Sequence, residues 1–194
     1  MSTDSESMGE SCNPLFSYLG ENPGTWWLSS SRLKEAADTL RDTCWPEKRR
    51  HPDQDTATAD FRLGPVYMLL MGMAIEAALK AILVAERPEL IEPQAISKTL
   101  ATHHIRNLWA RTGLASPPSR PRDSLLDRME SFVVTFGRYP VSRLQSGMDT
   151  MTGSCFHGEA DFDAVTRLWV SLEEHAKKAI PGLSEGIRDA GVLR

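Results

Sequence analysis

Cysteine is scarce in this 194-residue chain: Cys12, Cys44 and Cys155 stand far apart, and no CxxC pair occurs. That spacing excludes a disulfide framework and a zinc knuckle, and it fits a reducing, cytoplasmic setting. Positive charge is also in short supply. Lys and Arg number 22 against 26 Asp and Glu, a formal net charge of −4. A nonspecific grip on nucleic acid needs a cationic surface to displace counterions, so only a local basic patch remains compatible with that role. The start, "MSTDSESMGESCN", lacks the basic and apolar regions of an export signal. No alternating apolar–polar run marks a strand.

What the chain does have is a long apolar run, "MLLMGMAIEAALKAILV", residues 68–84, interrupted by Glu76 and Lys80. Val66 to Ala85 is 20 residues, about 30 Å of helix, which is long enough to span a bilayer. The two charges would then lie at mid-bilayer depth, where each costs about 2.5 kcal/mol or more against about −0.5 for a Leu or Ile. A buried core helix is therefore expected, not a membrane span. Glu76 precedes Lys80 by four positions, the favourable order for an intrahelical ion pair.

The remaining periodicity predicts an all-α bundle of four or five up-and-down helices over residues 25–180, between a mobile N-terminal arm, 1–24, and a C-terminal tail, 181–194. The first helix begins at "TWWLSS" and places Leu33, Ala36, Ala37, Leu40 and Cys44 on one face before Pro46. The central helix covers about Phe61–Glu86 and stops before Pro88. A short helix in "THHIRNLWARTGL" turns Ile105, Leu108 and Trp109 inward, with Gly113 as its C-cap. The next, "DSLLDRMESFVVTF", carries one stripe from Leu125 to Phe136, and the last spans about Asp161–Ala179 before Pro181 and Gly182. Between residues 137 and 160 no helical period is visible, and long structureless segments of this kind are usually functional or disordered.

Three pieces, in order, resemble the HEPN superfamily of helical bundles. "GMAIEAALKAIL", Gly72 to Leu83, is similar to its G-x-A-x-E-x-x-L-K central helix. "HHIRNLWARTGL", His103 to Leu114, resembles its H-x-[LI]-x-x-L helix start. "FGRYPV", Phe136 to Val141, is similar to the G-R-Y-P segment of a bacterial subgroup. The resemblance implies a HEPN-like bundle that often dimerises, with ribonuclease members building a site at the two-fold interface and other members acting beside nucleotidyltransferases. Ribonuclease members carry R-x4-6-H, in which Arg stabilises phosphate charge and His acts as acid or base. None of His51, His103, His104, His157 and His175 has an Arg at that offset. The nearest pair, Arg167 and His175, lies two turns apart and about 80° around the helix.

The reading that follows is a cytoplasmic, homodimeric HEPN-like module without catalysis, sensing RNA or a nucleotide in a bacterial defence or toxin-antitoxin setting, with a nucleotidyltransferase-like partner. The alternative is a metal-independent ribonuclease with a non-standard site, using Arg138 with His103 or His104. Arg138 and Arg143 can fork onto phosphate and Tyr139 can stack on a base, so these three are the ligand-binding candidates; the same "RYP" could instead lock the chain's exit from its helix. For the His103–His104 pair the structural expectation is that one packs or caps and the other faces water. Glu76 and Lys80 are expected to form a structural ion pair, with a second role open to Glu76 as the carboxylate that orients a basic residue. Cys155-x-His157 has no second ligand pair, so no metal and no cofactor are expected.

Overall fold

The apolar run forms the middle of the longest helix. The computed structural model describes residues 14–44, 57–92, 95–114, 121–136 and 156–184. Among these residues the chain is mostly helical: α1 (Pro14–Glu21), α2 (Pro23–Cys44), α3 (Ala57–Glu86), α4 (Ile105–Arg111), α5 (Pro121–Ser131) and α6 (Glu159–Ala179). Helix α3 packs against α2 and α6 and also against α4 and α5. That enclosure accounts for its apolar circumference, since a helix surrounded by others has no face to give to water. Leu63–Glu86 is long and apolar enough to cross a membrane, yet most of it is buried within the bundle.

Several local features set how the helices meet. At Gly72 a Cβ would lie 2.6 Å from Val133 Cγ2 and 3.2 Å from the Met129 carbonyl oxygen. Only a residue without a side chain lets α5 and the turn after it approach α3 so closely. Gly64 plays the same part beneath the Phe156 ring, whose Cδ1 would stand 2.3 Å from an added Cβ. The Ser30 hydroxyl donates to the Ala74 carbonyl oxygen at 2.6 Å, fastening α2 to α3 from within the core. Across the same core, the Trp27 and Trp169 rings meet at 5.7 Å and join α2 to α6.

The core faces expected for the later helices are buried: Ile105, Leu108 and Trp109 on α4, Leu125, Leu126 and Met129 on α5, and Phe162, Val165, Leu168, Trp169 and Leu172 on α6. Other expectations need correction. Helix α1 occupies part of the segment expected to be an arm, and Pro23 opens α2, as a residue with preset φ and no needed N–H can do at a first helical position. Ala36 is exposed, because the buried stripe of α2 runs through Trp27, Ser30 and Ala37. Residues Ile91–Glu92 and Ala95–Ile96 pair as a minimal antiparallel ribbon too short to show alternation. Gly113 is not in the left-handed conformation, and α4 ends at Thr112, whose hydroxyl donates to the Trp109 carbonyl oxygen at 2.8 Å. The helix expected to run to Phe136 as one α stripe changes to π geometry over Phe132–Phe136.

Candidate functional site

The most unusual group on α3 is Glu76. Its position buries the side chain to 10% exposure, and Lys80, one turn later, is 9% exposed. A charge taken that far from water requires a partner. The Lys80 ammonium donates to Glu76 Oε1 at 2.7 Å, so the i,i+4 pair forms as its spacing predicts.

A third residue reaches the same carboxylate. His103 Nδ1 lies 3.0 Å from Glu76 Oε1 and 3.2 Å from Oε2, although 27 positions separate the two residues. An ionised carboxylate can only accept, so Nδ1 carries the proton. In the neutral ring the lone pair is then on Nε2, and half of the His103 side chain is exposed to solvent. This is how a carboxylate fixes the tautomer and orientation of an imidazole that works at its other edge.

His104 turns to a different carboxylate. Its Nδ1 is 2.8 Å from Glu130 Oε1 on α5, while Glu130 Oε2 accepts the Arg106 backbone N–H at 3.3 Å. Glu130 thereby satisfies one of the unpaired donors in the first turn of α4, a role that no side chain of α4 itself fills. The Arg106 guanidinium donates to Asp127 Oδ2 at 2.8 Å. His104 occupies the N-cap position of α4, as expected for one of the pair, but its side chain makes no capping bond: both rings are about half exposed and both are held by carboxylates from other helices.

A second buried charge pair joins α5 to α6. Arg128 on α5 makes a two-pronged contact with Asp161 on α6, at 2.8 Å and 2.6 Å, with the side chains 12% and 3% exposed. Asp161 Oδ2 also accepts the His157 backbone N–H at 2.7 Å. Asp161 lies in the first turn of α6, where the helix dipole favours a negative charge. Its oxygens are thus committed to fixing the chain's return into the bundle.

Of the sequence-predicted site residues, the structure brings Glu76, Lys80 and His103 together and sends His104 to Glu130. Arg138, Tyr139 and Arg143 lie outside the described residues. His175, the histidine nearest to ribonuclease spacing, has Nε2 3.3 Å from Glu86 Oε1. Sequence reasoning missed Glu130, Arg106 and Asp127. The one available signal was the acidic spacing of Asp127 and Glu130, three apart on one helix face. Comparison with protein-family models, curated proteins and solved structures finds no match to this chain.

Proposed function

We propose that this chain is a HEPN-like helical module that recognises RNA or a nucleotide, without cleaving it, on the face where His103, His104 and Arg106 meet solvent. The observation that best supports this reading is the 3.0 Å contact between Glu76 and His103, because it joins two of the motif pieces that carry the resemblance. An imidazole held by one nitrogen offers the other to a phosphate oxygen or a base edge, and a guanidinium is well matched to phosphate. In the same reading the chain is cytoplasmic and homodimeric and serves a bacterial defence or toxin-antitoxin system beside a nucleotidyltransferase-like partner. Arg138, Tyr139 and Arg143 add contacts to phosphate and base. Titrating the full chain with a labelled RNA oligonucleotide and with AMP, ATP and GTP, alongside His103→Gln and Arg138→Ala, tests the proposal. Binding by the parent chain that weakens in both variants is expected; a parent chain that binds none of these probes overturns it.

The Glu76–His103 contact also favours a second reading, a metal-independent ribonuclease in which His103 Nε2 serves as acid or base and Arg138 stabilises phosphate charge. RNA cleavage that survives chelator and disappears in His103→Gln would establish it. Intact RNA after prolonged incubation with the parent chain would end it.

A further inference from the structure

On the other side of α3 lies a feature that the proposed RNA or nucleotide site does not use. Tyr67 precedes Glu76 by nine positions, about 900° of helical rotation, so the two point in roughly opposite directions. Tyr67 faces a cleft of about 780 Å³ between α2, α3 and α6. That volume is in the range of small-molecule sites, roughly 300–1,000 Å³. The cleft's inner wall is aromatic: Tyr67, Trp27 and Trp169 all line it. Tyr67 is itself braced edge-on by Phe162 at 4.6 Å, which fixes the direction of its hydroxyl.

Two independent observations mark the cleft as a binding site. Tyr67 is 1% exposed as a whole residue, and its hydroxyl, with no hydrogen-bond partner among the described residues, opens onto the cleft rather than being sealed in the core. A hydroxyl in that position keeps its lone pairs for whatever enters the cleft. The second observation is charge. Lining side chains comprise four carboxylates, Glu35, Asp38, Asp42 and Glu173, and two cations, Lys34 and Arg41; 2 − 4 leaves a formal −2. Asp38 engages both cations and Asp42 engages Arg41 as well. Glu35 has no ion-pair partner among the described residues, and Glu173 is joined to the partly exposed Lys177. The chain already seats one ammonium in this cleft, with Lys34 Nζ 5.6 Å from the centre of the Trp169 ring. Aromatic rings with an acidic rim attract cations by ring quadrupole and by charge.

We propose that the cleft between α2, α3 and α6 binds a small organic cation bearing primary ammonium or guanidinium groups, with the Tyr67 hydroxyl accepting a hydrogen bond from one such group and Glu35 and Glu173 facing the others. Burial pushes the Tyr67 phenol above its ordinary pKa, so it meets the ligand as a neutral hydroxyl. The excess of carboxylates makes the cleft a poor receptor for phosphate, which separates this proposal from RNA or nucleotide recognition on the opposite side of α3.

The test is calorimetric titration of the full chain with spermidine and with agmatine, AMP serving as the anionic probe, and tryptophan fluorescence as a second readout. Saturable spermidine or agmatine binding is expected, weakened about tenfold by Tyr67→Phe, the loss expected for a hydrogen bond to a charged group. The double substitution Glu35→Gln and Glu173→Gln, on partly or fully exposed side chains, is expected to weaken it as well without lowering the melting temperature. AMP binding, wherever it occurs, is expected to be unchanged by all three substitutions. The proposal is overturned if neither cation binds the parent chain saturably, or if the glutamine double variant binds both cations as the parent does. Should Tyr67→Phe fail to fold, the glutamine variant alone decides.

Discussion

Two buried carboxylates, Asp161 and Glu76, have opposite surroundings. Asp161 is closed on all sides: a guanidinium takes both oxygens and a backbone N–H completes the set. Glu76 is closed on one side by Lys80 and open on the other through a half-exposed imidazole. The first arrangement can only hold helices together. The second transmits the position of a buried charge to a ring in contact with water, and that asymmetry is what makes it the candidate site.

Breaking each arrangement tests the contrast. Arg128→Ala leaves Asp161 as an uncompensated buried charge, so the largest effect is expected here: about 3–5 kcal/mol less stability in urea unfolding. A loss no larger than that of a surface mutation would remove the distinction between the two clusters. Glu76→Leu strands Lys80 in the core and is expected to cost about 1–3 kcal/mol, read from the same unfolding curves. An unchanged midpoint would mean that Lys80 finds water without moving the helix.

Tyr67, on the opposite side of α3, supplies a pH-dependent reference. Its folded pKa is raised above the unfolded value of about 10, chiefly by burial. The fold therefore favours the protonated phenol, and that contribution is complete below about pH 10 and is lost as pH rises beyond it. Above that point one extra proton bound by the folded state corresponds to about 1.4 kcal/mol per pH unit. Tyr67→Phe is expected to make the alkaline limb of stability against pH shallower by that slope; identical limbs would contradict the burial. The smallest stability effect belongs to His103→Gln, expected within about 0.5 kcal/mol of the parent chain, as for an exposed side chain. Its consequence is expected in RNA or nucleotide binding instead, and a large loss of stability would show that His103 is a structural strut like Arg128.

Much of the helical plan was legible because periodicity and proline are local signals. Pro88 and Pro181 lie just beyond α3 and α6, and the apolar stripes of α4 and α6 point inward as their spacing requires. The Glu76–Lys80 pair was legible for the same reason, since four residues of helix bring two side chains together whatever surrounds them. His103 meeting Glu76, and Arg128 meeting Asp161, were not. These partners are 27 and 33 positions apart, and their meeting depends on how whole helices pack. The π geometry after Ser131 escaped detection because its apolar residues also fit an α stripe. Thr112 replaced Gly113 as the end of α4 because a hydroxyl bonded to the helix backbone does without a left-handed glycine.

Gly72 gives this architecture one further property. Its missing methyl group sets the separation between α3, which carries Glu76, and α5, which carries Glu130. His103 takes its bearing from the first helix and His104 from the second. The spacing between two adjacent rings is thus gauged by a residue that has no side chain, acting as a calliper set by what is absent.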